Sequence, residues 1–293
     1  MQLFLLTALT MIAFAANSVL ARLALAENDM SAGDYSLVRL AFGAAMLVVL
    51  SQGRNALRFS QVLKSGGTWA SSVALLVYVV GFSFAYLALD TGMGALILFA
   101  CVQATMIGWG LIKGNRPSML EWLGIIIAFS AFVYLVSPGL EAPNPLGTVL
   151  MVAAGIAWGI YSLRGAGSTN ALADTAGNFL RATLVMIPLA VGLSAWQSGS
   201  LNAIASQNYT MFGFAMAAIS GAVTSGLGYA LWYRCLPQLS TTRAAIVQLS
   251  VPAIATLGGI IFAGEDATLR LLLCSALILG GIAIAISARQ KSA

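Results

Sequence analysis

Residues 13–22 read AFAANSVLAR and residues 157–166 read AWGIYSLRGA. Alone, the first stretch has the small-residue pattern after an apolar run that a signal peptidase cleaves. A secretion signal also needs a basic segment ahead of that run. Residues 1–7 carry only the terminal amine, and the apolar residues continue past the apparent site to Ala26. The second stretch repeats the pattern in mid-chain, where no peptidase signal applies: Ala13 matches Ala157, Phe14 matches Trp158, Asn17 matches Tyr161 and Ser18 matches Ser162. The first run is therefore expected to stay in the protein as a membrane span.

Composition points the same way. Of 293 residues, 60% are hydrophobic and 8% charged, against about 25% charged in soluble domains. So few charges cannot tile a surface that faces water, and the bilayer is the expected solvent. The formal charge of +5 matters by where it falls, and it suggests no nucleic-acid partner. Absence of histidine removes His-activated nucleophiles, most zinc chemistry and HExxH proteases. Cys101, Cys235 and Cys274 are odd in number, lie in or beside apolar runs and lack metal-ligand spacing. Neither a metal nor a cofactor is expected, and with no paired carboxylates or activated nucleophile at depth the chain does not read as an enzyme.

A helix crosses the hydrocarbon core with about 20 apolar residues. Ten such runs stand between polar or Gly/Pro-rich breaks: 4–26, 35–51, 68–89, 93–112, 122–137, 146–163, 176–195, 210–233, 243–263 and 270–287. Lysine and arginine collect on the cytoplasmic side. With the N-terminus inside, Arg54, Arg58, Lys64, Lys113, Arg116, Arg164, Arg234, Arg289 and Lys291 all fall there, while Glu27, Asp29, Asp34, Asp90, Glu141, Glu265 and Asp266 fall outside. The expected fold is an all-α membrane protein of ten transmembrane helices with both termini cytoplasmic, in a bacterial inner membrane.

The match around Asn17 and Tyr161 extends further. AGDYSLVRLAFGAAML resembles AGNFLRATLVMIPLA, which aligns Arg39 with Arg181, and Tyr86–Leu89 resembles Tyr233–Leu236, with Phe82 and Tyr229 one turn earlier. Five helices per half is odd, so the halves, residues 1–140 and 141–293, are expected to insert in opposite senses. Inverted repeats place a site at their interface that either side can reach. These repeats, the aromatic elements at Phe14–Ser18 and Trp158–Tyr161, the paired arginines and the segment LSVPAIATLGGIIFAGE resemble the drug/metabolite transporter superfamily and its EamA-type repeat over nearly the whole chain, and most of all its YddG-type exporters of aromatic amino acids. The resemblance implies an inner-membrane metabolite exporter with a central cavity. The first half departs from the pattern, with Gln103 in place of Pro252 and the basic KGNR in place of Glu265.

Polar groups at mid-membrane are costly and therefore informative. None of the expected spans carries Asp, Glu, Lys or His in its middle third, so transport without an acidic ion-coupling residue is expected. Tyr78, Phe82 and Tyr86 recur every four residues, as do Ser225, Tyr229 and Tyr233, and each set makes one helical stripe. Cavity lining and interhelical packing both fit the inner members, and packing fits the outer two tyrosines better. Trp158, deep in its span among Gly155, Ala157 and Gly159, is the strongest candidate for the cavity, with Tyr161 a turn on. Gln103, Gln248 and Asn17 could offer amides to a zwitterion or bond between helices, and Phe99 joins the candidate set. Arg39 and Arg181 lie near expected helix starts, where snorkelling or capping of carbonyls fits better than a carboxylate site. Pro188 and Pro252 interrupt their spans and are candidate hinges. The expected partners are lipid and a small solute, with amino acids, aromatic and neutral ones first, and another metabolite or drug, such as a sugar derivative or quaternary compound, as the alternative; a monomer is expected to suffice.

Overall fold

The computed structural model describes residues 2–26, 29–55, 66–114, 116–139, 142–198, 209–239 and 247–291. Arg58, Lys64, Glu27, Glu141 and the start of the ninth expected span at 243–246 lie outside them. Helices α1 (Gln2–Leu25), α2 (Ala32–Asn55), α3 (Trp69–Ala85), α4 (Thr91–Ile112), α5 (Met119–Val136), α6 (Pro145–Gly165), α7 (Ala171–Ser198), α8 (Met211–Cys235), α9 (Ser250–Ala263) and α10 (Leu269–Lys291) follow in order. Eight are long and apolar enough to cross a bilayer, and α3 and α9 are shorter apolar helices. Among the described residues there is no strand. The protein is an all-α, multi-pass membrane protein.

Local chemistry sets the helix starts. Thr68, Ser118, Asn144 and Thr210 each accept a backbone N–H of the first turn through the side chain, satisfying a donor with no partner inside the helix. Ser118 and Glu121 do so reciprocally. Where α9 ends, Gly264 has φ 63°. Glycine takes that conformation without a Cβ penalty, and the turn delivers Glu265 to the bundle.

Long-range hydrogen bonds fix which helix ends lie together. Arg22 reaches Asp90 and Glu265, the Thr210 N–H donates to Asp29 O, and Arg270 donates to the carbonyls of Tyr134 and Ser137. These residues form one end, rich in acid. At the other, Asp174 and Asn178 accept from the N–H groups of Gly67 and Thr68, and Arg164 Nε donates to Ser71 Oγ. The helices therefore alternate in direction.

Packing follows a regular scheme. α3 and α4 pack on α6, α8 and α9 pack on α1, α7 packs on α3 and α8 packs on α2, while α2·α7, α4·α9 and α5·α10 are paired directly. Advancing every helix by five places maps these pairs onto one another, whereas the contacts of α4 with α1 and α10 have no equally extensive counterpart among the described residues. Lipid tails give helices no hydrophobic reason to associate, so close backbone approach through small residues matters. The α5·α10 crossing shows it: a Cβ on Gly124 would lie 2.4 Å from Gly281 O, and one on Gly281 would lie 2.6 Å from Gly124 O.

Candidate functional site

Trp158 is the hub of a stack of rings. Its indole lies 4.8 Å from the Tyr78 ring, 5.3 Å from Tyr161 and 5.2 Å from Tyr229, centroid to centroid. Gly155 and Gly159 on the same helix let α6 close on α4 at Cys101 and Thr105, which brings the ring inward rather than toward lipid. A cavity of about 320 Å³ opens beside it. Its walls are Trp158, Tyr161 and Ser162 of α6, Tyr229, Trp232 and Tyr233 of α8, Phe14 of α1, and Gln103 and Met106 of α4, with Gln248 just before α9. The cavity reaches the basic end at Gly165, Ala166, Leu236 and Leu239.

The opposite end is sealed. Glu265 accepts from Arg22 Nε at 3.0 Å, from the Thr91 N–H at 2.9 Å and from Thr91 Oγ1 at 3.0 Å. Arg22 adds Asp90 at 3.3 Å. One side chain of α1 thus ties the start of α4 to the turn after α9.

Between cavity and seal lies a buried polar network. Asn17 Oδ1 accepts hydroxyls from Ser220, Thr224 and Ser225 at 2.9, 2.6 and 3.2 Å. In a regular α-helix, with 100° per residue, positions 220 and 225 would face apart. α8 is a π-helix over Ser220–Leu227, and that wider turn brings residues five apart onto one side, a feature frequent at functional sites. Ser225 Oγ also accepts from Arg39 Nε at 3.2 Å, and Arg39 Nη2 donates to Tyr78 OH at 2.9 Å.

The expected site residues divide accordingly. Trp158, Tyr161, Tyr229, Gln103 and Gln248 meet at the cavity. Tyr78 and Phe82 do not line it: they form an aromatic column with Tyr86, with successive centroids 5.5 and 4.8 Å apart, and Tyr78 backs Trp158. Ser225 and Asn17 are buried in the network instead, because the π-turn takes Ser225 out of the stripe of Tyr229 and Tyr233. Phe99 is buried in the core without facing the cavity. Pro252 follows a break at Leu249 that separates residues 247–248 from α9, as a ring that clashes with the carbonyl four residues back requires. α7 runs unbroken through Pro188, which is exposed.

Phe14, Trp232 and Tyr233 lie outside the expected site, yet all three line the cavity. Phe14 has a signal in its match to Trp158, and Tyr233 in the helical spacing it shares with Tyr229. The larger correction is Arg39. It does not snorkel: its side chain is 1% exposed and turns toward mid-depth. Arg181 does cap a neighbouring carbonyl, that of Gly66.

This cavity offers a small solute rings, amides, hydroxyls and a thioether. Residues 145–287 match the EamA-like transporter family. An uncharacterized protein of Pseudomonas aeruginosa is 41% identical over 97% of this chain and 94% of its own length. The threonine/homoserine exporter RhtA of Escherichia coli is 28% identical over 62% of this chain, which spans 59% of that exporter. A solved crystal structure shares the fold, with a TM-score of 0.60, over 96% of this chain and 99% of its own at 17% identity. The chain belongs to the EamA-like transporter family within the drug/metabolite transporter superfamily, and its partners are a small-molecule substrate and the lipid around it.

Proposed function

We propose that the protein exports neutral amino acids, aromatic ones among them, across a bacterial inner membrane by alternating access. The carrying observation is that one cavity has two unlike ends: it reaches the basic end, and the Arg22–Glu265–Asp90 seal closes the acidic one. Rings suit apolar side chains and the amides of Gln103 and Gln248 suit a zwitterion's polar end. The named substrates of RhtA, threonine and homoserine, support an amino acid as cargo.

In this reading ten helices span the membrane as two inverted repeats, 1–140 and 141–293, with both termini cytoplasmic and a monomer as the working unit. The helix pairs that map onto one another support the repeats, and the basic residues at the open end support its facing the cytoplasm. No carboxylate lies at mid-depth among the described residues, so no ion is coupled through one. Counterflow in proteoliposomes tests this. Labelled phenylalanine or threonine should accumulate with saturation and trans-stimulation, without a proton gradient, and glucose should not compete. Strict dependence on a proton gradient, or competition by sugars and not by amino acids, overturns it.

A further inference from the structure

Of the described acidic and basic side chains, Arg39 is the most deeply buried, and a family resemblance in ring-lined cavities does not explain it. Every partner it has is neutral: Ser225 Oγ, Tyr78 OH, and the faces of Phe82 and Tyr78, 4.7 and 5.3 Å from its guanidinium carbon. Nη1 has no hydrogen-bond partner among the described residues. Tyr35, one turn earlier on the same face of α2, is fully buried, and its hydroxyl lies against Ser220 without a well-formed hydrogen bond. A cation held in lipid without a counter-charge is costly, and such groups mark substrate pathways.

Position supplies the rest. Tyr78 lies midway along α3 and Ser225 midway along α8, so the charge sits at mid-depth. Tyr78, bonded to Arg39, packs on Trp158 of the cavity wall at 4.8 Å, and Tyr229 of that wall lies near Arg39 as well, so a layer of rings stands between the charge and the cavity. A solute moving from the cavity to the sealed end must pass this layer.

We propose that Arg39, with Tyr35 beside it, takes the carboxylate of the substrate when the Trp158–Tyr78 layer parts, so that the transporter selects carboxylate-bearing solutes over the matching carboxamides. This rests on the amino-acid reading above. A guanidinium with a free N–H, flanked by a phenol, matches the two oxygens of a carboxylate, and no carboxamide supplies the missing negative charge.

Competition in counterflow measures the preference directly, using threonine against threoninamide and phenylalanine against phenylalaninamide. The wild-type protein should prefer each acid by about 10- to 100-fold, the range for hydrogen bonds to charged groups. Arg39→Gln should bring that ratio close to one, Arg39→Lys should restore part of it, and Tyr35→Phe should lower it. Equal competition by acid and amide in the wild type overturns the proposal whether or not any variant folds. So does an Arg39→Gln protein that loses rate while keeping the ratio, since a merely structural role predicts that result. Failure of every amino acid and amide to drive wild-type counterflow would instead sink the amino-acid reading itself.

Discussion

Glu265→Gln tests the seal most sharply, because it keeps shape and removes charge. The Glu265 side chain is 10% exposed and receives three donors, one of them the Arg22 guanidinium at 3.0 Å. Hydrogen bonds to a buried charged group contribute about 1.5–3 kcal/mol, and the amide keeps one acceptor oxygen. Losing the charge should therefore raise the population of the state open at the acidic end by about 10- to 100-fold, at 1.36 kcal/mol per factor of ten. Asp90 is 60% exposed at 3.3 Å from Arg22, so Asp90→Asn should change that population by about fivefold or less, as exposed pairs do. Ser18, one turn below Arg22 on α1 and 2% exposed, supplies the reporter. In a background with Cys101, Cys235 and Cys274 replaced, Ser18→Cys should react with an impermeant maleimide on spheroplasts at a rate that follows the open population. A labelling rate unchanged by Glu265→Gln, in protein that stays monodisperse, would refute the assignment of the seal.

Three further outcomes follow from the geometry. Asn17→Leu takes the acceptor from the hydroxyls of Ser220 and Ser225, while Thr224 keeps the Ser220 carbonyl, and thermal unfolding in detergent should show a loss of about 1–3 kcal/mol for each group left without a partner. Gly281→Ala forces a Cβ against the Gly124 carbonyl, whereas Gly280→Ala enters open space; the first should cost about 1–3 kcal/mol and the second should leave the melting temperature in place. Trp158→Ala removes a stacking face in the cavity, so half-saturation for phenylalanine should rise by about 2- to 12-fold, the worth of one aromatic pair, with a smaller change for threonine.

The helices were legible because apolar run length is a one-dimensional property: eight of the ten expected runs meet helices long enough to cross a bilayer, and the other two meet shorter apolar helices. Trp158, Tyr161 and Tyr229 were legible because small neighbours and helical spacing together point rings inward. The fate of Ser225 was not, since a π-turn is set by the convergence of three hydroxyls on Asn17, a contact between residues about 200 apart in the chain. Arg39 and Arg181 show the sharper limit. The sequence match aligns them, yet one reaches inward to Ser225 and Tyr78 and the other outward to the Gly66 carbonyl. Residue type and depth at the Cα do not determine where a long flexible side chain places its charge.

The two ends of the cavity cannot be held shut with equal force. At the acidic end a buried carboxylate gathers an arginine, a hydroxyl and a backbone N–H across three elements. The stretch of the first half that the sequence match sets against Glu265 is KGNR, without a carboxylate, and Asp174 at that end is already taken by the Gly67 N–H and the Ser168 hydroxyl. On the proposed alternating-access reading, closure of the basic end draws on weaker contacts among the described residues, and the empty carrier is expected to rest with that end open. An equilibrium moves only by the difference in a ligand's affinity for the two states, so a solute drives the cycle by binding more tightly once the ring layer has parted than before. A carboxylate meeting the unpaired Arg39 is a contact available in that parted state alone. On the proposed reading, in which no ion is coupled, the asymmetry sets where the carrier rests and the gradient of the solute sets the direction of net flux.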